Sequence, residues 1–209
     1  MLNQASSACF ASLVASASVE ISSRGHQLQE LRDNFAPGTD VTITFLPGDN
    51  YSHNVETAAA LRRAGFNPVP HIAAREIASR KMLDDFLSRL RGEADATRVL
   101  LIAGDVAAAR GPFKSSGDVR ASRLLQAHNI TRVSVAGHPE GHPYLDEAAR
   151  WACLRRGGTG DGRLARTSIS SRNSVSRVRR SLRCLEGSRR AASIFLSLSV
   201  LRGPQRRRR

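Results

Sequence analysis

Apolar positions along the first two thirds of the chain follow two alternating rhythms. Leu13 to Ile21 is a short run of small and β-branched residues that ends in the polar SSRGH, a pattern that predicts a buried strand. In QLQELRDNF, Leu28, Leu31 and Phe35 recur at helical spacing before Pro37-Gly38 stops the element, and VTITFL (Val41 to Leu46) reads as the next strand, closed by PGDN. A helix is predicted from about Ser52 to Ala64, with Val55, Ala58, Ala59 and Leu61 as its apolar stripe and Gly65 as its stop. The short strand PVPHIA follows. A helix over REIASRKMLDDFLSRL then gathers Ile77, Met82, Leu83, Phe86, Leu87 and Leu90 on one face. RVLLIAG is a continuous apolar run, as expected of a strand buried on both sides. Beyond the loop DVAAARGPFKSSGD, Val119 to His128 reads as helix, ITRVSVAG as strand, and Tyr144 to about Leu154 as helix.

Five strand-helix units in a row predict an α/β fold with a parallel sheet, either doubly wound or closed as a (βα)8 barrel. No G-x-G-x-x-G follows the first strand, which argues against a dinucleotide-binding Rossmann domain. The polar clusters SSRGH, PGDN, HIAAR, GDVAA and GHPEGHP all stand just after strands, where barrel enzymes place their sites. The expected fold is therefore a (βα)8 TIM-barrel type, incomplete at about five βα units and followed by a disordered Arg/Ser-rich tail.

Charge divides the chain in two. The total is +14, with 41% hydrophobic residues. Residues 1–150 carry 16 Lys+Arg against 16 Asp+Glu, whereas residues 151–209 carry 16 Arg and no Lys against 2 acidic residues. The first part reads as a partial barrel domain and the second as a basic low-complexity tail with 10 Ser. Cys9, Cys153 and Cys184 are odd in number and lack C-x-x-C spacing, so a reduced, cytoplasmic protein is the expectation. The start lacks a basic signal-peptide region. The run Ala191 to Leu201 is also far shorter than the roughly 20 residues of a spanning helix, so no membrane association is expected.

Several residues could carry chemistry. Glu20 lies at the end of an apolar strand, where Val19 and Ile21 would disfavour its charged form and suit it to donate a proton; the alternative is a solvent-facing carboxylate paired with Arg24. Asp105 follows the buried LLIAG strand and is expected at the mouth of a barrel, or else as a loop-capping Asp. His71, His138 and His142 also follow strands. The H-x-x-x-H spacing of the last two would suit a metal on a helix, but PEG between them breaks one, so hydrogen bonding to a large polar ligand or loop packing is the reading taken.

In this order, VEIS, VTITF, GFNPVPHIAAR, LLIAGD and SVAGHPEGHP resemble the methylenetetrahydrofolate reductase family, over about Leu13 to Glu147. PVPH and GHPEGHP are the most specific pieces. The resemblance implies an eight-stranded barrel that binds FAD across its C-terminal strand ends and takes electrons from NAD(P)H. It reduces 5,10-methylenetetrahydrofolate to 5-methyltetrahydrofolate, a step of one-carbon metabolism and methionine biosynthesis. It also implies Glu20 as the acid that assists formation of the reactive folate iminium, and Asp105 as the carboxylate near flavin and pterin. Thr44, His71, Gly104, His138 and His142 become FAD contacts, and Ser116 lines the adenosine portion. Three departures mark a divergent branch: Ala103-Gly104-Asp105 stands where the family has Arg-Gly-Asp, His138 where it has Tyr, and Ser22-Ser23 where it has a double Pro.

The tail leaves three readings open. It is the out-of-frame continuation of a reductase whose remaining barrel units are missing, a genuine fusion that binds nucleic acid non-specifically by phosphate neutralisation, or part of a non-catalytic remnant. At most a short helix is expected around Ala191 to Leu201. With only five units supplying a site that barrels draw from several strand ends, the 209-residue chain is expected to hold FAD far more weakly than a complete barrel and not to be a competent FAD enzyme. The partners expected are a folate substrate and a second copy of the chain.

Overall fold

In the computed structural model, β1 (Ser18–Ser22), β2 (Asp40–Thr44), β3 (Asn67–Ala73), β4 (Arg98–Ile102) and β5 (Arg132–Val135) pair in parallel and in chain order. The structure describes residues 18–24, 28–46, 48–136, 148 and 197–198. Helices α1 (Leu28–Asn34), α2 (Tyr51–Arg63), α3 (Arg80–Ala94), α4 (Ser116–Ala121) and α5 (Leu124–Ala127) fill the connections between the strands. Parallel neighbours need such crossovers, which turn in one hand, so a strand order that never reverses sets every helix on one side of the sheet. A doubly wound sheet would reverse its order instead.

The core lies between sheet and helices. Val19, Ile21, Val41, Ile43, Ile72, Val99, Leu101 and Val133 alternate along the strands and form one buried cluster with Leu31 of α1, Val55 and Leu61 of α2, and Leu83, Leu87 and Leu90 of α3. Residues such as Leu87 and Val99 are fully buried, and at about 25 cal/mol per Å² this layer is the main favourable term of the fold. In β4, Val99, Leu100 and Leu101 are all buried, as the continuous apolar run predicts. Local signals set the helix limits. The Asn50 side chain accepts from the Ser52 N–H at 2.8 Å to start α2, and Gly65, at a φ of 87° that suits glycine, turns the chain into β3.

The elements depart from the periodicity at three places. The helix predicted over Arg75 to Leu90 splits into a 3-10 turn, Ala74–Glu76, and α3, because Ile77 is drawn extended into the core and Ser79 caps a new start by accepting from the Met82 N–H. The helix predicted over Val119 to His128 begins earlier, at Ser116, and breaks at Arg123, whose left-handed φ of 61° separates α4 from α5. In the tail, Ser197–Leu198 forms a two-residue strand, β6, parallel to Ser18 and Val19 of β1, where at most a helix was expected. Its segment alternates Leu196, Leu198 and Val200 with Ser197 and Ser199, a period of two that suits a strand. The rest of the tail, and the helix expected from Tyr144 apart from a helical Ala148, lie outside the described residues.

A polar network ties the N-terminal ends of β2, β3 and β4 together. Asp40 pairs with Arg98, and the Asn67 amide donates to Asp40 (3.2 Å) and to the Gly38 carbonyl (2.7 Å). Arg62 donates to the Asn67 side-chain oxygen at 3.1 Å and to the carbonyls of Ala94 and Asp95 at 3.1 and 2.8 Å, joining the ends of α2 and α3 to the network. Asn67→Ala removes three of these bonds and leaves part-buried partners unsatisfied. It should lower stability by about 2 kcal/mol, read as a shift of the urea midpoint at constant slope. A shift below about 0.5 kcal/mol would show that water replaces the amide freely.

Candidate functional site

The alternation that sends Val19 and Ile21 towards the helices sends Ser18, Glu20 and Ser22 to the opposite face. In register beside them on β2 stand Thr42, opposite Glu20, and Thr44, opposite Ser22. Carried one residue beyond the Ile43 and Pro70 pair, the register sets Thr44 level with His71, which in turn stands opposite Leu100 and through it Ser134. One row across five strands therefore reads Ser, Thr, His, Leu, Ser. The Thr42 and Thr44 hydroxyls donate to the carbonyls of Val19 (3.2 Å) and Ile21 (3.3 Å), which fixes both side chains against β1.

Glu20 and His71 meet on this face, with a Glu20 carboxylate oxygen 3.8 Å from His71 Nε2. Their side chains are only 18% and 6% exposed, so the pair is partly withdrawn from solvent, which strengthens the interaction between them. The expected cause of Glu20's environment needs correction. Val19 and Ile21 adjoin it in sequence but point to the other face of the sheet, whereas Ser22 and Thr42 share its face and His71 stands 3.8 Å from its carboxylate. Arg24, the other partner considered for Glu20, lies 2.5 Å from Asp49, whose side chain is 2% exposed and also accepts from the Leu46 N–H at 2.7 Å. That pair joins the loop after β1 to the loop after β2.

The connection between β4 and α4 is the longest in the described structure and is held closely. Gly104, buried at a φ of 92°, brings the chain out of β4, and Asp105 follows it, exposed to solvent. The chain then folds against the turn after β3: Arg110 pairs at 3.1 Å with the buried Glu76, and Phe113 is buried. Ser116 is the first residue of α4 and is buried behind a capping box in which Ser115 and Asp118 each accept from the other's backbone N–H. Beneath this rim, Tyr51 stacks on Phe45 and packs against Phe86, and its hydroxyl donates to the Ala73 carbonyl at 3.2 Å. Burial pushes the Tyr51 phenol far above its ordinary range, so it stays a neutral donor.

Of the residues expected in the site, the structure brings Glu20, Thr44 and His71 together on one face and sets Gly104, Asp105 and Ser116 along the rim beside it. His138 and His142 lie outside the described residues. Among the described residues, no group of three or more His, Cys, Asp or Glu is arranged to hold a metal ion, and no helix is long and apolar enough to cross a membrane. Sequence reasoning passed over Arg75, Glu76 and Arg110, which pin the rim. Of the three, only Arg75 falls in a cluster that the sequence marks, HIAAR at the end of β3, and that cluster is read for its histidine alone.

Gly111 shows how tightly the rim is packed, since a Cβ there would stand 2.4 Å from the carbonyl oxygens of both Ile77 and Ala78. Gly111→Ala should therefore push the β4–α4 connection off the turn after β3 and leave the strands paired. Limited proteolysis should show faster cleavage near residue 110 with a change in melting temperature of only a few degrees. Unchanged cleavage would mean that the connection absorbs a methyl group without moving. No protein-family model matches the chain.

Proposed function

We propose that these strand ends are part of a methylenetetrahydrofolate reductase-type site, and that the sheet is the first five strands of a (βα)8 barrel whose interior is the face carrying Glu20 and His71. The observation that carries the reading is the Glu20 and His71 pair on the face opposite the helices, with Thr42 opposite Glu20 and Thr44 level with His71. Two features of the sheet agree with a barrel: its order never reverses, and β1 takes a parallel partner on both edges, β2 and β6.

The residues present suit a flavin. FAD has a broad planar ring with polar edges, and this face offers hydroxyl and imidazole groups in one row, with Gly104 at the end of β4 beside them. Thr44, His71 and Gly104 would hold it, with Ser116 towards the adenosine end, and His138 and His142 complete the proposed set. When bound, FAD supplies hydride transfer between NAD(P)H and the folate. The chain's own part is charge and orientation. Glu20 delivers a proton to the folate, and His71, 3.8 Å away, orients the carboxyl and shares its charge. Asp105, exposed at the rim, faces arriving substrate and disfavours further negative charge beside the flavin.

A second reading is a sheet that keeps the fold without the chemistry. It is favoured by one observation: β5 pairs only with β4 among the described residues, so a parallel edge stands where a closed barrel has none.

Titrating FAD into the 209-residue chain and following flavin fluorescence separates the two readings. The reductase reading predicts saturable binding, weaker than that of a barrel offering all eight strand ends. In single-turnover measurements on a version of the chain completed to eight βα units, Glu20→Gln should leave flavin reduction by NAD(P)H nearly intact and slow folate-dependent reoxidation by about 10² or more. No uptake of FAD would leave the non-catalytic reading standing. Equal losses in both half-reactions would remove Glu20 from the role of acid.

A further inference from the structure

Arg75, in the 3-10 turn that follows β3, is bonded to the connection between β4 and α4 at four points. Its backbone N–H donates to the Ala103 carbonyl at 3.0 Å, and its own carbonyl accepts from the Arg110 N–H at 2.8 Å. Its guanidinium donates from Nη1 to the Val106 carbonyl at 3.3 Å and from Nε to the Lys114 carbonyl at 3.1 Å. Residues 103–115 contain no helix or strand, and a connection of that length in a compact domain costs considerable entropy to hold in one shape. One side chain here bridges two carbonyls that are eight residues apart in the sequence.

Asp105 lies between the first two of these attachments, and Ser116 follows closely on the last. We propose that Arg75 is a positioning residue: it holds the connection over the ends of β3 and β4 and so fixes where Asp105 stands relative to Glu20 and His71. The effect on ligand binding rests on the flavin reading above, whereas the effect on the connection stands on the contacts alone. Arginine suits the task because its planar fork presents several donors in fixed directions, each satisfying a carbonyl with a charge-assisted bond. A lysine at 75 would reach one carbonyl at a time and recover part of the hold. Methionine would keep the apolar stem and none of the donors.

Amide hydrogen exchange on the full chain tests this in Arg75→Met and Arg75→Lys beside the native protein. Exchange over residues 103–115 should be at least about 10-fold faster in Arg75→Met and intermediate in Arg75→Lys, with Val99 to Ile102 protected as before. In the same three proteins, FAD affinity should fall about 10-fold in Arg75→Met and be partly restored in Arg75→Lys. Unchanged exchange over 103–115 in Arg75→Met overturns the proposal, as does loss of protection spread evenly over the sheet in Arg75→Lys. If the native chain takes up no FAD, the flavin reading fails, and the exchange data still decide whether Arg75 holds the connection.

Discussion

A β-strand turns successive side chains to opposite faces, and parallel strands held in register extend that local rule across a whole sheet. Val19, Val41 and Val99 fall on the face that the helices bury, while Glu20, Thr42, Thr44 and His71 fall on the other. A slip of one residue in β1 against β2 would put Glu20 on the face of the apolar helix layer and turn Val19 and Ile21 away from the core. The apolar layer therefore guards the register, and the register places the polar row. The carboxylate and the imidazole meet because two strands that are not adjacent in the sheet each keep their phase against β2.

The two ends of the sheet are stabilised differently. At the N-terminal ends, Asp40, Asn67, Arg62 and Arg98 satisfy one another and the last carbonyls of α3. At the C-terminal ends, charged groups from successive loops reach across to the next: Arg24 to Asp49, and Arg110 to Glu76. In both cases a buried carboxylate is paired with a more exposed arginine, so the loops are anchored by charges that would be costly to leave alone. Irregular chain is thereby kept in place at the end where the sheet offers its polar row.

Much of the fold could be read from the sequence because strand and helix periods differ and glycines or polar caps separate the elements. The run Val99 to Leu101, the stripe of α2 and the stop at Gly65 follow the pattern closely. Where the reading slipped, a tertiary demand overrode a local one. Ile77 leaves the helical phase to fill the core, and Arg123 takes a left-handed turn in the middle of a predicted helix. For the candidate site, Glu20, Thr44 and His71 stood out by their positions near strand ends, but their meeting depends on register, which no single strand reveals. The environment assigned to Glu20 was wrong for the same reason, since neighbours along a strand are not neighbours on a face. The role of Arg75 could not be read from HIAAR because the carbonyls of Val106 and Lys114 that it reaches leave no trace in residue type.

The central claim is that the face of the sheet opposite the helices, at the C-terminal strand ends, is a flavin-binding surface. The most direct measurement is a map of backbone amide chemical shifts in the isotope-labelled chain as FAD is added. The account predicts changes concentrated at Thr44, His71 and Gly104 and along the β4–α4 connection, with the amides of α2, α3 and the Asn67 network unmoved. Changes centred on the helices or on the N-terminal strand ends, or no changes at saturating FAD, would contradict it.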